Sequence, residues 1–366
     1  MKILVDGLPR TIGGIGSLIL NIADYSFSLP NNENVEFEFI VAGYSGYSST
    51  LEKNGYKYYV APSIQNLREY ILFLKRLFAE NQFDYLWFNN TSKVNIWLPL
   101  CAKDKGVKVI THPHGVDIEE KGMKRFFFKL LNIINSNKMF SLVDIPLACS
   151  EDAADEYYKG ASKLRKQTTI IHNGISTSRF TFSEKAREQI RKELGVQADD
   201  YLLGAVGRLT RVKNYPFLIE MLTLLDDHYK LIVLGDGEGR EELEALIDEK
   251  SVRDRCWLLG MKSNPQDYMS AMDFFLLPSL NEGMPYSVIE AQSEGLPCVV
   301  SDTLSDELKI TNLVLYKSIT DPQKWADALR NTAVCKCRSD YSELVKKSGY
   351  SIEKTYEEFV SLLKRN

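Results

Sequence analysis

Short apolar segments alternate with amphipathic segments of helical length along most of this chain. In the first half, the apolar segments are as long as strands, and the segments between them place apolar residues at helical spacing. The predicted strands there are Lys2–Val5, Val35–Ala42, Tyr56–Val60, Tyr85–Phe88, Lys108–Thr111 and Ile145–Ser150, and the predicted helices include Ser17–Tyr25, Gln65–Glu80 and Asn95–Lys103. Strands separated by helices predict a parallel sheet with helices on its faces.

The alternation stops in a polar stretch near residues 175–200 and then begins again. Strands are predicted at Tyr201–Val206, Lys230–Leu234, Cys256–Leu259, Phe274–Leu277 and Leu296–Val300, with helices at Pro216–Leu225 and Arg240–Lys250. A chain of 366 residues exceeds what one hydrophobic core usually serves. We therefore predict an α/β protein of two domains, residues 1–175 and 176–349.

The segment after Phe274–Leu277 carries the most informative chemistry. A polar turn reaches Met284, Pro285 suits the first turn of a helix, and Gly295 suits its end. In a parallel sheet such a turn and helix start lie at the carboxyl ends of the strands, where free N–H groups attract a phosphate. Glu282 and Glu290 would repel the phosphate but accept hydrogen bonds from neutral hydroxyls beside it. This combination predicts a nucleotide sugar as ligand.

Cations follow the strand Tyr201–Val206. Arg208, Arg211 and Lys213 lie in a loop that precedes a helix, which predicts an anion site, and we select Arg208 and Lys213 as phosphate ligands. The alternative is a solvated basic loop. A glycine-rich loop with Gly13 and Gly14 also follows the first strand, where it suits either a close approach to a ligand or a simple turn.

Two histidines, His112 and His114, follow the strand Lys108–Thr111. A histidine at this end of a sheet points toward the crevice where ligands bind. The alternative is a loop histidine whose ring is satisfied by backbone groups.

Residues 121–138 are rich in basic and aromatic side chains. An apolar helical face contains Met123, Phe126, Phe127, Leu130, Leu131 and Ile134, and Lys121, Lys124, Arg125 and Lys129 lie off that face. One interpretation is a core helix with a solvated rim. The other is a surface helix that touches anionic lipid and helps to deliver a lipid-linked acceptor.

Composition narrows the class of protein. The net charge of −4 argues against a general nucleic-acid binder, and no apolar run approaches the ~20 residues of a membrane span. Six cysteines without metal-type spacing predict buried free thiols in a reducing cytoplasm. An Asp-x-Asp motif, which sugar transferases of another main fold use to hold a metal, is absent from the sequence.

The ordered set of these motifs resembles the GT-B glycosyltransferases of the large retaining family 4. The matching pieces are Gly13-Gly14, His112, Asn173-Gly174-Ile175, Gly207-Arg208 with Lys213, Gly235-Asp236-Gly237, and Glu282-Gly-Met-Pro with Glu290. The spacing of the two glutamates is the most specific piece. His112-Pro-His114 departs from the His-Asp of many relatives, so which histidine faces the donor stays open.

This resemblance implies two Rossmann-like domains with parallel sheets that face a central cleft, and a C-terminal helix, within 350–366, that packs on the first domain. Arg208 and Lys213 would hold the donor diphosphate, with backbone N–H groups near Gly14, Gly283 and Met284. Glu290 would bind the ribose, Glu282 the transferred sugar, and His112 would lie beside that sugar.

The expected reaction is transfer of a sugar from a nucleotide diphosphate, most commonly UDP, to a glycan or lipid-linked acceptor of a surface polysaccharide pathway, on the cytoplasmic side or at the inner membrane face. Retention of configuration is implied by the resemblance alone. Fixed cations at the diphosphate stabilise the leaving group, so we expect metal-independent activity without a cofactor. The alternatives are a nucleotide-sugar epimerase or hydrolase and a non-catalytic sugar-binding protein.

Overall fold

The computed structural model describes residues 1–8, 14–30, 35–43, 46–90, 92–114, 122–335 and 337–365, and the side chains of residues 46 and 122–129 are left out of the description. It divides into two compact units. One comprises residues 1–174 and 352–366, and the other comprises residues 175–351.

The first unit is built on a seven-stranded parallel sheet with the strand order β3-β2-β1-β4-β5-β6-β7. Between β1 and β7, one or two helices lie between each strand and the next along the chain. The elements are β1 (Lys2–Asp6), α1 (Gly14–Ser28), β2 (Glu36–Ala42), α2 (Gly46–Lys53), β3 (Tyr58–Ala61), α3 (Leu67–Glu80), β4 (Tyr85–Phe88), α4 (Trp97–Asp104), β5 (Lys108–Thr111), α5 (Gly122–Leu142), β6 (Ile145–Ala148), α6 (Glu151–Tyr157), α7 (Ser162–Gln167) and β7 (Thr169–Ile170).

The second unit repeats the plan with a six-stranded parallel sheet in the order β10-β9-β8-β11-β12-β13. Its elements are α8 (Glu184–Leu194), β8 (Tyr201–Val206), α9 (Tyr215–Leu222), β9 (Tyr229–Leu234), α10 (Arg240–Glu249), β10 (Cys256–Gly260), α11 (Pro265–Ala271), β11 (Phe274–Leu277), α12 (Tyr286–Ser293), β12 (Cys298–Ser301), β13 (Val314–Lys317), α13 (Pro322–Asn331) and α14 (Tyr341–Lys347). Strand β13 and helices α2, α7 and α14 were not predicted from the sequence.

Strand β11 explains why its sequence reads as one continuous apolar run. Phe275 and Leu277 belong to the core on one face of the sheet, whereas Phe274 and Leu276 belong to the core on the other. Because helices cover both faces, every residue of the strand is buried, and the alternation typical of a half-exposed strand is lost.

The last helix, α15 (Ile352–Arg365), returns to the first unit. Its Phe359 ring packs 4.6 Å from the Trp87 ring, centre to centre, and the Tyr85 hydroxyl donates to the Leu363 carbonyl oxygen over 2.8 Å. Tyr25 of α1 packs edge-on against Tyr356. These aromatic contacts attach the C-terminal helix to the sheet and to α1.

Four of the six cysteines, Cys101, Cys149, Cys256 and Cys298, are buried free thiols, as predicted. The other two differ, since Cys335 is partly exposed and Cys337 is exposed. Among the described residues, no helix has the length and hydropathy that crossing a membrane requires.

Candidate active site

The centre of the second sheet is the point where its strand order reverses. β8 and β11 lie side by side, and the chain runs from β8 to one edge and from β11 to the other. The loops after these strands therefore flank the crevice in which open α/β sheets bind ligands. The Leu280 N–H donates to the Val212 carbonyl oxygen over 2.8 Å, and the Asn214 side-chain amide donates to the Pro278 carbonyl oxygen over 3.2 Å. Both loops are thus held together.

Lys213 and Glu282, which the sequence placed in separate motifs, meet at this point. The Lys213 Nζ lies 2.5 Å from the Glu282 Oε1, and the Ser279 hydroxyl donates to the same oxygen over 2.7 Å. Arg208, earlier in the loop after β8, is exposed. The structure thus brings one predicted phosphate ligand into contact with the predicted sugar ligand, and it leaves Arg208 at the surface of the same loop.

Close backbone packing shapes the floor of this site. A side chain at Gly235 would begin 2.0 Å from the Gly207 carbonyl oxygen, and one at Gly237 would begin 2.6 Å from the Leu209 carbonyl oxygen. Gly235 also has a φ of +138°, which a larger residue rarely adopts. The Gly235-Asp236-Gly237 turn is therefore a structural support beneath the loop that carries Arg208 and Lys213.

Glu290 lies in α12 and is half-buried. Burial raises the pKa of its carboxyl group to about 7, and the Arg179 guanidinium opposes this shift. At the start of the same segment, Gly283 is exposed and Met284 is buried. A carboxyl group withdrawn from water in this way makes strong hydrogen bonds with hydroxyl donors.

A second carboxyl group, Glu294, follows one helical turn later and is fully buried. The Ser270 hydroxyl donates to its Oε2 over 2.9 Å, and the Arg338 guanidinium lies 3.9 Å from that oxygen. Burial raises the pKa of Glu294 to about 7. Arg338 itself donates to four backbone carbonyl oxygens. The pair of Glu294 and Arg338 therefore holds segments of the second unit together.

The first unit has its own point of strand reversal between β1 and β4. Asp6 ends β1, and its carboxylate accepts a hydrogen bond from the Asn90 side chain. Burial raises the pKa of Asp6 to about 6. Asn89, in the loop after β4, donates its side-chain amide to the carbonyl oxygens of Asp6 and Trp87. Sequence reasoning missed these residues, although each directly follows or ends a buried strand.

Both histidines are buried at the end of β5. The ring of His112 stacks on the ring of Trp87. The centres of the His112 and His114 rings are 4.2 Å apart. His114 Nε2 and Asn89 Oδ1 are 2.9 Å apart. Since the Asn89 amide nitrogen already donates to two carbonyl groups, its oxygen accepts here, and we assign the proton of His114 to Nε2.

Burial lowers the pKa of His112 well below its ordinary value and that of His114 to about 4. The two rings are therefore neutral at physiological pH. They provide hydrogen-bonding groups and aromatic surface without positive charge, which suits uncharged hydroxyl groups. Both histidines lie at the predicted edge of the sheet, and the choice between them as the residue that faces the donor stays open.

Two predicted features lie partly outside the description. Gly14 is the first residue of α1 and is exposed, whereas Gly13 falls outside the described residues, as does Lys121. The side chains of Lys124, Arg125 and Lys129 are also outside it. Further along α5 several apolar side chains are exposed, which contradicts a core helix at these positions; they are Leu130 (42%), Leu131 (40%), Ile133 (71%) and Ile134 (63%).

Within the part of the chain that the structure describes, Asp199, Asp200 and His228 form a group of three that could hold a metal ion. Asp200 and His228 directly precede β8 and β9. They therefore lie at the amino ends of these strands, at the opposite edge of the sheet from Lys213 and Glu282.

Two family models match consecutive parts of the chain. The model for glycosyltransferase family 4 matches residues 12–179, and the model for glycosyl transferases group 1 matches residues 186–331. Together they cover most of both units and every residue of the predicted donor site.

Proteins with similar sequences are named as glycosyltransferases. EpsF of Bacillus subtilis, to which a glycosyltransferase activity is assigned by name, is 24% identical over 345 residues, which are 90% of this chain and 86% of EpsF. An Escherichia coli enzyme, UDP-Gal:alpha-D-GlcNAc-diphosphoundecaprenol alpha-1,3-galactosyltransferase, is 25% identical over 78% of this chain and 76% of its own length.

The fold also has solved counterparts. HepE of Anabaena, solved with UDP and glucose, superposes with a TM-score of 0.82 at 16% identity and covers 100% of this chain and 99% of its own. WaaG, a glycosyltransferase of lipopolysaccharide biosynthesis, gives a TM-score of 0.66 at 16% identity over 98% of this chain and 94% of its own. With both family models, the paired Rossmann-like units and the order of the motifs in agreement, the chain belongs to the GT-B glycosyltransferases of family 4.

Proposed function

We propose that this enzyme transfers a hexose-type sugar from a UDP-sugar to a glycan or lipid-linked oligosaccharide acceptor, with retention of configuration, in the synthesis of a surface polysaccharide. The observation that carries the proposal is the contact of Lys213 with Glu282 at the reversal point of the second sheet. A cation for phosphate and a carboxylate for sugar hydroxyls lie within one hydrogen-bond length there. A nucleotide sugar presents both groups as neighbours.

In this proposal the second unit stabilises the departing diphosphate. Cleavage of the sugar–phosphate bond builds negative charge on the leaving group while the sugar becomes oxocarbenium-like. Lys213 and Arg208 would neutralise that charge, with backbone N–H groups near Gly283 and Met284. Glu282 would accept hydrogen bonds from hydroxyl groups of the transferred sugar, and Glu290 would accept hydrogen bonds from hydroxyl groups of the ribose. Gly14 would contribute backbone donors from the first unit.

His112 is proposed to lie beside the transferred sugar. Its neutral ring is suited to hydroxyl groups and carries no charge that would compete for the phosphate. Retention would follow from attack on the same face as the departing phosphate, with that phosphate taking the acceptor's proton. The family to which the chain belongs is the support for this stereochemistry.

UDP is proposed as the nucleotide, because HepE was solved with UDP and the Escherichia coli relative is named for UDP-Gal. The acceptor class follows from the same kind of support. The name of that Escherichia coli relative includes a diphosphoundecaprenol, as does the name of a Campylobacter jejuni relative that is 31% identical over 49% of this chain. The exposed apolar side chains on α5 suit contact with a membrane that carries such an acceptor.

We further propose that turnover needs neither a metal nor a cofactor. The two side-chain cations and the start of α12 would do the neutralising work that a metal ion does elsewhere. Activity in the presence of excess chelator checks this point directly: unchanged turnover is expected, and a loss that added Mg²⁺ or Mn²⁺ restores would contradict it.

The experiment that tests the function begins with thermal stabilisation by a panel of UDP- and GDP-sugars, since a ligand of the folded state raises the melting temperature. The best donor is then incubated with and without lipid-linked glycan acceptors. Consumption that depends on the acceptor supports transfer. Rapid consumption without any acceptor would instead indicate an epimerase or hydrolase, and the absence of any stabilising nucleotide sugar would overturn the proposal.

A further inference from the structure

Tyr215 is the first residue of α9 and lies directly behind the loop that carries Lys213. Its side chain is buried, with 1% of its surface exposed. Its hydroxyl group has no hydrogen-bond partner among the described residues. A buried donor without a partner destabilises a fold, so its presence beside a ligand site indicates a partner that arrives with the ligand.

The hydroxyl shares one location with the Lys213 ammonium. A Cβ built on Gly207 would lie 2.9 Å from the Tyr215 Oη, 2.8 Å from the Lys213 Cε and 3.2 Å from the Lys213 Nζ. Both polar groups thus converge over a glycine at the carboxyl end of β8. A side chain at position 207 would occupy the space in which they meet.

The chemistry of the hydroxyl is that of a donor. Burial and the nearby Glu282 carboxylate both raise the pKa of Tyr215 above its ordinary value, so the phenol keeps its proton. Phosphate oxygens are acceptors only, and they carry the charge that makes a hydrogen bond strong. A sugar hydroxyl is a weaker partner, and it already has the Glu282 carboxylate as acceptor in the proposed site.

We propose that the Tyr215 hydroxyl donates a hydrogen bond to a phosphate oxygen of the bound nucleoside diphosphate, beside Lys213. This inference rests on the proposed binding of a nucleotide sugar in the second unit. The Lys213 side chain, whose Cε lies beside the same Gly207 position as the hydroxyl and whose ammonium lies on Glu282, turns toward the phosphate and opens the way to Oη. Tyr215 is then a third side-chain ligand of the diphosphate, after Arg208 and Lys213.

The test is Tyr215→Phe, which removes only the oxygen. Because that oxygen has no partner among the residues that the structure describes, the variant keeps or gains thermal stability, by up to about 4 °C in melting temperature. Its dissociation constant for UDP rises by about ten- to a hundredfold, and that for uridine does not change. A role in packing alone would not combine a more stable free protein with weaker UDP binding.

Tyr157→Phe is the matched control, since Tyr157 is also buried and its hydroxyl has no hydrogen-bond partner in the described part of the chain, but it lies in the first unit at the end of α6. It is expected to leave UDP affinity unchanged. Unchanged UDP affinity in Tyr215→Phe, or weakened binding of the UDP-sugar but not of UDP, would overturn the inference. If the native protein binds no nucleoside diphosphate, the proposed function fails instead.

Discussion

The ammonium nitrogen of Lys213 lies 2.5 Å from the Oε1 of Glu282, and both side chains are largely shielded, with 16% and 17% of their surfaces exposed. The free enzyme thus holds its proposed phosphate ligand in an ion pair with its proposed sugar ligand. A phosphate that binds Lys213 must compete with this carboxylate, while a sugar hydroxyl approaches the same group. The two halves of a nucleotide sugar therefore act on one ion pair.

Glu282→Gln is expected to separate these two roles. Loss of the negative charge frees Lys213, so UDP alone binds about fivefold more tightly, which corresponds to roughly 1 kcal/mol for a partly shielded pair. Transfer from the UDP-sugar falls, because the sugar loses its charged acceptor. Titration calorimetry with UDP and a transfer assay measure the two effects. Glu220→Gln, an exposed charge change on α9, is the control, and weaker UDP binding in Glu282→Gln would contradict the competition.

Arg208→Ala and Lys213→Ala are each expected to lower turnover by about 10²–10³, since each would remove a fixed cation from the departing diphosphate. The exposed Arg211 lies between them and offers a matched variant on the same loop. Arg211→Ala should change turnover by less than about tenfold. The rate constant is best read at saturating donor. An equally small effect for Arg208 and Lys213 would mean that the diphosphate binds elsewhere.

The contribution of Glu294 to the stability of the free protein should fall as the pH rises from about 4.5 to about 7, whereas the buried neutral rings of His112 and His114 contribute with the opposite sign over the lower part of this range. The folded-state pKa of Glu294 is about 7, above its ordinary value of 4.5, so between these values the folded chain keeps a proton that the unfolded chain releases. Stability from this group is therefore fully present below the lower value and is lost as the pH passes the higher one. The pKa of Glu290 is also raised to about 7, so its contribution to stability changes with pH in the same direction.

Glu294→Gln should remove this contribution, so that the denaturant midpoints of the variant fall less, or rise more, over this pH range than those of the native protein. Gln retains an oxygen that can accept from Ser270 and does not ionise. Glu188→Gln, at an exposed position on α8, should leave the slope as it is. A profile equally steep in Glu294→Gln and in the native protein would show that this carboxyl group is not the source of the slope.

The exposed side chains of α5 should bind membranes. Leu131→Ser with Ile134→Ser removes two exposed apolar groups and is expected to lower binding to vesicles of anionic phospholipid by at least about tenfold, with little effect on stability. Charge reversal at Lys121, Lys124, Arg125 and Lys129 should also lower it. Leu72→Ser changes an exposed leucine on α3 and serves as the control. Vesicle binding that neither set of changes reduces would exclude this surface.

Much of this protein was predictable from local pattern. Buried parallel strands are short, apolar and bounded by turns, so segments such as Phe274–Leu277 were located from sequence to the residue. Edge elements were harder, because Val314–Lys317 is only partly buried and its pattern is weak. The helix at 122–142 was also predicted. Whether its apolar face is buried or exposed was not, because an amphipathic pattern does not say what covers that face.

The candidate ligand groups Arg208, Lys213, Glu282 and Glu290 were identified from residue type and position relative to strands. Their mutual geometry was not, because it depends on strand order. β8 and β11 are distant in sequence and become neighbours only when the sheet assembles, which puts Lys213 against Glu282. The sequence by itself determined most of the buried elements, the candidate ligand groups and the family. Only the tertiary structure decided which charges meet, and that the Tyr215 hydroxyl is buried without a partner among the described residues, because burial and contact distance are properties of packed elements.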